Sequence, residues 1–445
     1  MSEKTPYSEV RCPMCGSVGK WKNVDQYRYK PQEMNLCLGC GFVTYPKIIS
    51  NQEKLKEYYR EEYRDVPTFA NICSGERKLH FHVAFLESLI EGWKKQGLKA
   101  PKVFEIGSAF GMFINWMRHL FPKGDIQGSE LTESYVRNAH WLYGVRLKDK
   151  FDASQKYDLI ASYKVAEHMP DFDKELETYS KCLTEKGLLY ISVPTWFDAM
   201  VNFGTAGFSV EYYYHPNHIN CWTRPLFETL LKKKGFKIIK ENHVYYDSTY
   251  LCAHDPSVMT EAPRYEDPAE IESRMAKIFE AAKSFDQGQY EKALTAYPNF
   301  PDAYAGYFEG ERAKHHKNGF DWIFEHVAKR ALTACPNSVA VRMLAADLCM
   351  RYNQWEKSLA YLKESLEMKP QDPSIMLNIA HCFRQLSLMV ADPQEKVRLL
   401  AEAAKVCQAV SMSSQQAKSE AITWLMNDNA RIPIPPAKVA SEARA

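Results

Sequence analysis

Nine residues, Val103-Phe-Glu-Ile-Gly-Ser-Ala-Phe-Gly111, restrict what this chain can fold into more than any other stretch. Two apolar residues lead into an acidic one. Gly107 and Gly111 then bracket a bend, and Met112 to Leu120 reads as a helix. Buried strand, glycine-permitted turn and helix N-terminus, in that order, make the first βα unit of a doubly wound sheet, where nucleotides bind at the carboxyl end of the strand. The spacing narrows the nucleotide. A dinucleotide needs GxGxxG, so that backbone amides can cradle a pyrophosphate. Here the pattern is acidic-x-Gly-x-x-x-Gly with Ala109 between, and the carboxylate of Glu105 stands too near for a phosphate.

A cofactor with an ammonium group and no phosphate suits this loop, and S-adenosylmethionine is such a molecule. Four further segments follow in the order such a fold requires. Ile126-Gln-Gly-Ser-Glu130 reads as a second strand ending in an acid 25 residues after Glu105, placed to accept both ribose hydroxyls. Tyr157 to Lys164 reads as the fourth strand, Gly187 to Pro194 as the fifth, and Gly235-Phe-Lys-Ile-Ile as the last, after a helix over Arg224 to Lys234. With these segments the chain resembles the class I S-adenosylmethionine-dependent methyltransferases. The resemblance implies an α/β Rossmann-type domain whose cofactor meets Glu105, Gly107, Ser108, Ala109, Gly111, Glu130 and Leu131. A Rossmann-like domain without a working cofactor site is the alternative, because fold alone does not fix activity.

The amino-terminal region carries a second constraint. Cys12-Pro-Met-Cys15 and Cys37-Leu-Gly-Cys40 are CxxC knuckles separated by 21 residues, each followed by glycine. Four thiolates in this pattern complete a tetrahedral structural zinc site, with a redox dithiol as the competing use. A segment this short has little core, so metal would supply much of its folding energy. The remaining cysteines, at 73, 182, 221, 252, 335, 349, 382 and 407, lack paired spacing and are expected to be buried apolar residues.

Together with Phe42-Val-Thr-Tyr-Pro46 and the stretch Leu55 to Tyr63, the knuckles resemble zinc-ribbon methyltransferases of sugar and polysaccharide biosynthesis, including sugar C-methyltransferases. In that group the ribbon and the next helix cover the cofactor cleft. The resemblance puts Tyr58, Tyr59 or Tyr63 near cofactor or substrate; the alternative is interface aromatics with wet hydroxyls. An amphipathic helix is expected over residues 75 to 97, and its His80 and His82 are expected to be surface or satisfied histidines.

Methyl transfer is an in-line displacement at a sulfonium carbon, so the protein supplies alignment and, for a hydroxyl or carbon acceptor, a base. Glu167-His168, after the fourth strand, is one candidate pair. The imidazole either lines the site or orients the loop. The other candidates lie in Glu211-Tyr-Tyr-Tyr-His215-Pro-Asn-His218, which resembles the His-containing stretch of the zinc-ribbon group. The residues before His215 and His218 are Tyr214 and Asn217, not the acid that the sugar C-methyltransferases carry there. His218 ranks above His215. Asp149 and Asp152, at the end of the third strand, are each placed for the adenine amine or are solvated loop carboxylates, and Asp152 ranks first. Phe151 beside it is expected against the ring. Lys164 either meets the cofactor carboxylate or is a surface lysine. Thr223 is expected to cap the helix that follows. No metal-ligand set is evident near the cofactor loop.

The last third is helical with a period. Ala331 to Pro336 and Ser365 to Pro370 are 34 residues apart, and Tyr290-Glu-Lys-Ala-Leu matches Trp355-Glu-Lys-Ser-Leu. This looks like tetratricopeptide repeats over residues 269 to 425, irregular at Ala313 to Phe320, forming an all-α, TPR-like superhelix. Such an arm either binds a protein partner or polymeric substrate, or only stabilises the enzyme. Asn427 to Ala445 lacks a packing pattern and is expected to be disordered.

The domain expectation is a zinc ribbon over 1–52, a methyltransferase domain over 53–262, repeats over 269–425 and a tail over 426–445. Lys plus Arg number 57 against 55 Asp plus Glu, which gives no electrostatic reason for nucleic acid or membrane partners. The polar start and the lack of a long apolar run point to a cytoplasmic protein. The expected activity is methyl transfer to a small-molecule or glycan acceptor of carbohydrate type. A protein or nucleobase methyltransferase is the nearest alternative, and a ligand-binding scaffold is the alternative of another class.

Overall fold

The computed structural model describes residues 7–27, 33–44, 69–195, 218–244, 247–315, 319–369 and 372–413. Tyr58, Tyr59, Tyr63, Glu211, His215 and the carboxyl-terminal tail lie outside the described residues. The chain divides into two compact units, one running to Ala276 and the other from Lys277 onward.

The first unit is organised by a six-stranded sheet. Its strands are β4 Lys102–Ile106, β5 Asp125–Ser129, β6 Tyr157–Tyr163, β7 Leu183–Pro194, β9 Phe236–Val244 and β10 Asp247–His254, in spatial order β5-β4-β6-β7-β10-β9. The first four strands of that order are parallel, while β10 is antiparallel to both β7 and β9. β4 sits between two parallel neighbours and is buried from Val103 to Ile106. Its run of apolar residues on both faces is what such a position requires. Register brings the carboxyl ends together: Ile106 stands opposite Ser129 of β5 and Ser162 of β6. Hence Gly107, Glu130 and Lys164, the first residues past the ends of β4, β5 and β6, share one edge.

Helices flank the sheet: α1 Phe69–Lys95, α2 Met112–Leu120, α3 Glu133–Tyr143, α4 Phe172–Cys182 and α5 Arg224–Lys233. One core packs Phe85, Leu86, Ile114, Met117, Val103 and Leu159; a second packs Phe104, Ile160, Leu176, Leu189 and Phe227. The helix α2 begins and ends where the sequence places it.

Three expectations change here. The final strand is not the one starting at Gly235: β10 follows β9 as a hairpin and inserts between it and β7. The third strand shrinks to a single bridge between Ser129 and Lys148. Its Lys-Asp-Lys stretch at 148–150 offers little to bury. Thr223 occupies the N-cap of α5, yet its hydroxyl donates to Glu266 and makes no capping bond.

The cysteine knuckles belong to a small antiparallel sheet, β1 Trp21–Asn23, β2 Asn35–Cys37, β3 Val43–Thr44 and β8 Asn220–Cys221, in that order. Its last strand comes from far along the chain. Val43 pairs with Cys221 and Thr44 with Asn220, the Thr44 hydroxyl donates to the Ile219 carbonyl at 2.5 Å, and Phe42 stacks on Trp222. Lys233 donates to the Met14 carbonyl at 2.8 Å, so α5 also grips the knuckle.

The helix α6 Pro268–Asp286 leads into the second unit. There α7 Tyr290–Ala296, α8 Pro301–His315, α9 Gly319–Ile323, a π-helical turn Phe324–Ala328, α10 Lys329–Ala334, α11 Val339–Arg351, α12 Trp355–Met368, α13 Pro373–Met389 and α14 Pro393–Ser413 follow. The sequence period marks helix ends: α10 closes at Ala334 and α12 at Met368, 34 residues later. The helices pack in consecutive pairs, with the Ser358 hydroxyl of α12 donating to the Ala346 carbonyl of α11 at 3.0 Å. Among the described residues no helix is long and apolar enough to cross a membrane.

Candidate functional site

At the carboxyl edge of the sheet the chain turns sharply after Ile106. Gly107 has φ +68°, and a Cβ there would lie 2.3 Å from the Val165 side chain, so both backbone and space demand glycine. Gly111 is also left-handed, at φ +71°. Ala109 between them has φ +43°. A non-glycine residue in this region costs energy, and such strain tends to collect at functional sites.

What holds Ala109 there is Glu130. One carboxylate oxygen accepts from the Ala109 amide at 2.9 Å, and the other accepts from the Leu131 and Thr132 amides at 2.9 Å each. The side chain is thus fixed by backbone on both sides of the loop. A carboxylate offers about four lone-pair sites, so three amides leave capacity for one more donor. Burial raises its pKa even so. The side chain of Leu131 is exposed beside it. Ser108 is buried, its amide bonded to the Ser129 carbonyl at 2.9 Å and its hydroxyl to the Glu105 carbonyl at 3.1 Å.

Glu105 is 6% exposed, and its Oε2 has no hydrogen-bond partner among the described residues. Desolvation, with Glu130 nearby, raises its pKa to about 8. A buried carboxylate oxygen left unsatisfied is costly, and a cationic ligand group is what would satisfy it.

Around the next strand end, Lys164 has φ +56° and its ammonium lies 2.8 Å from Asp247, with both side chains largely buried. Sequence reasoning missed Asp247, because nothing in Tyr-Tyr-Asp-Ser-Thr signals that β10 would insert beside β7 and bring its first residue to this edge. Asp152 lies in the turn after the rudimentary third strand. Its carboxylate accepts from the Ser154 amide at 3.1 Å and hydroxyl at 2.6 Å, which lowers its pKa. The Phe151 ring beside it packs into the core against Phe104, Tyr157 and Tyr179. His82 is a satisfied histidine: its Nδ1 lies 2.7 Å from the Tyr190 hydroxyl.

Glu167 and His168 form the turn Ala166–His168, and His218 comes back to meet them across 50 residues of sequence. The two imidazoles stand edge to face at 4.7 Å between centroids, and Glu167 Oε1 is 3.8 Å from His168 Nε2. Glu167 is 1% exposed, and its Oε2 has no hydrogen-bond partner among the described residues. Asn220 locks the turn. Its amide donates to the Ala166 carbonyl at 3.1 Å and the Met169 carbonyl at 2.7 Å, while its backbone is paired to Thr44 of the cysteine sheet. One ligand atom from each of Glu167, His168 and His218 lies within 4.8 Å of the others. The sequence shows no such grouping near this edge, because a contact between residues remote in sequence makes it.

The four knuckle cysteines converge as expected. Their sulfurs lie within 4.8 Å of one another, with Cys12 to Cys40 at 3.7 Å and Cys15 to Cys37 at 3.6 Å, and none forms a disulfide. Hydrogen bonding among these thiols pulls the Cys37 thiol below its ordinary range and pushes those of Cys12 and Cys40 above it. Cysteines 182, 221, 252, 335, 349, 382 and 407 are buried, as read from their spacing.

Residues 76–241 match the profile of a family described as a methyltransferase domain. This stretch carries a methyltransferase domain. It holds the site residues from Glu105 to Asn220, and leaves out Asp247 and the cysteine knuckles. No curated protein matches the chain. Among solved structures, it is similar to an S-adenosylmethionine-dependent methyltransferase from Clostridium acetobutylicum, at 13% identity over 38% of this chain and 91% of that one, with a TM-score of 0.30. It is also similar to magnesium protoporphyrin IX methyltransferase from Synechocystis with bound S-adenosylhomocysteine, at 14% identity over 45% of this chain and 99% of that one, with a TM-score of 0.32. A third is a Rickettsia typhi protein in complex with S-adenosylhomocysteine, at 13% identity over 39% and 52% of the two chains, with a TM-score of 0.29.

Proposed function

We propose that the chain transfers a methyl group from S-adenosylmethionine to an acceptor of carbohydrate type, either a nucleotide sugar or a glycan. The observation that carries the donor assignment is the pair of carboxylates on adjacent strand ends. Glu105 offers a buried oxygen with no partner among the described residues to the donor's ammonium. Glu130, held by three amides, faces the same loop and takes one ribose hydroxyl on its remaining acceptor site. The methyl group and its sulfonium belong to the donor; this chain's residues bind it, orient it and keep water out. Gly107 and Gly111 let the backbone approach the methionine portion. Lys164, paired with Asp247 here, is within the same edge and takes the donor's carboxylate by exchanging partners. Asp152 or its neighbours contact the adenine.

Glu167, His168 and His218 handle the acceptor. Glu167 and His168 sit after the strand next to the donor loop, His218 joins them from before β8, and together they can position an acceptor hydroxyl and take its proton. The carbohydrate class rests on the resemblance of the knuckle-bearing amino-terminal region to the ribbon of sugar methyltransferases. The four cysteines hold a structural zinc ion. A tetrahedron with ~2.3 Å metal–sulfur bonds has sulfurs about 3.8 Å apart, and the pairs here stand 3.7 and 3.6 Å apart. A closed shell of four thiolates leaves no place for substrate. The helix pairs of the second unit act as a tetratricopeptide-like arm that recruits a protein partner or a polymeric acceptor.

The test is transfer of label from methyl-labelled donor to a panel of nucleotide sugars, oligosaccharides, nucleosides and protein extracts. Label in the sugar fractions, lost with Glu130→Ala, supports the proposal. Label only in protein or nucleosides replaces the acceptor class, and label in none of them removes it.

A further inference from the structure

The two imidazoles and the carboxylate that meet at the edge of the sheet do more than resemble a proton relay. We infer that Glu167, His168 and His218 bind a divalent transition-metal ion, distinct from the ion of the cysteine knuckles.

The donor set comes first. Two neutral imidazoles with one carboxylate suit iron, cobalt, nickel or zinc in the divalent state, and are a poor set for magnesium or calcium, which prefer all-oxygen shells. Distances come second. An ion ~2.1 Å from each ligand needs ligand atoms about 3–3.5 Å apart. Here they lie within 4.8 Å, and Glu167 to His168 is already 3.8 Å, so small side-chain rotations close the shell. The third observation is the buried Oε2 of Glu167. It has no hydrogen-bond partner among the described residues in a side chain that is 1% exposed, which is the state of a ligand awaiting a cation. Local charge does not oppose an ion. Lys164, the cation nearest to Glu167 in its electrostatics, is matched by Asp247 at 2.8 Å.

The supporting shell is also in place. Metal-ligand precision depends on outer contacts that fix the ligands. Asn220 binds the carbonyls that open and follow the Glu167-His168 turn, and Thr44 fixes the backbone next to His218 through the Ile219 carbonyl. Three ligands leave coordination positions open, so the ion can hold one or two acceptor oxygens and lower the pKa of a bound hydroxyl. That use on an acceptor rests on the methyl-transfer reading; binding of the ion does not.

The test uses the full-length chain, stripped with a chelator and reloaded with Co2+ under equilibrium dialysis while visible absorption is recorded. Two ions per chain are expected, one giving a thiolate-to-cobalt charge-transfer band and one giving none. His218→Ala and His168→Ala should each lower the count from two to one with the thiolate band intact. His168 is the more exposed of the two, so its substitution leaves the core undisturbed, and the intact band reports that the fold survives. One ion in the wild-type chain, or two retained in both variants, overturns the inference. Titrating S-adenosylhomocysteine into the same samples reads the donor site separately, so failure of one proposal is distinguishable from failure of the other.

Discussion

At the glycine-loop end of the site, Glu105, Gly107, Ser108, Ala109 and Gly111 come from one seven-residue stretch, and Glu130 reaches them from the neighbouring strand through backbone amides. At the imidazole end, Glu167 and His168 meet His218 only because Asn220 and Cys221 are the fourth strand of a sheet that begins with Trp21. The first end is set by local conformation and a parallel register. The second is a tertiary construction whose parts are held by the cysteine knuckles. Damage to the knuckles should therefore disable one end and spare the other, whereas damage to the loop should do the reverse.

The largest expected effect follows from that dependence. Cys37→Ser, or stripping the ion proposed for the knuckles, should remove folding energy on the order of 10 kcal/mol from the small sheet. Calorimetric melting should show a lower, broader transition for the first unit, and the Co2+ count should fall to zero because His218 loses its support. Donor affinity should stay within about tenfold. Loss of donor binding together with metal binding would break the comparison.

Gly107→Ala acts on the other end. A Cβ 2.3 Å from Val165 and a left-handed backbone together should cost on the order of 2–4 kcal/mol of stability. Adding Val165→Ala relieves the collision and leaves the backbone strain, so chemical denaturation of the double variant should recover part of the loss.

These two substitutions also mark what was legible in the chain. The glycine loop could be read because glycine at positive φ and an acid at a strand end are local demands that leave a local pattern. The α2 boundaries fell where the pattern put them for the same reason. The cysteine cluster was readable from its spacing. His218 and Glu167 stand separately in the sequence as candidates, but their convergence depends on pairing between residues 43–44 and 220–221, which leaves no periodicity. Asp247 escaped because β10 inserts between two other strands, and Thr223 kept its cap position while its hydroxyl turned to Glu266. The helical period was visible because prolines mark where the helices stop.

Asn220→Ala should have a smaller and one-sided effect. It removes both amide bonds to the Glu167-His168 turn and strands two carbonyls, about 1–3 kcal/mol. The expected result is weaker Co2+ binding at the imidazole end with unchanged donor affinity, read by dialysis and calorimetry on the same sample.

The smallest effect is on pH dependence. Burial holds the Glu105 carboxyl near 8, above the ordinary 4.5 that unfolding restores. The unfolded chain thus ionises first, so Glu105 lowers ligand-free stability as pH climbs from 4.5 through about 8. Glu105→Gln should remove this slope and raise the melting temperature at pH 8 by a few degrees. Donor affinity of the wild type should rise as pH climbs to about 8, where Glu105 becomes charged. It should fall above that as the donor's amine, with an ordinary pKa of about 8, loses its proton. The Gln variant should lack the rising limb.

The most direct measurement is calorimetric titration of the zinc-replete chain with S-adenosylmethionine and then S-adenosylhomocysteine, alongside Glu130→Ala. Binding in the micromolar range, about 8 kcal/mol, with one site per chain and loss of the signal in a folded Glu130→Ala variant, is the predicted result. Absence of binding to the folded wild-type chain, or equal binding by the variant, would contradict the assignment of this edge to the methyl donor.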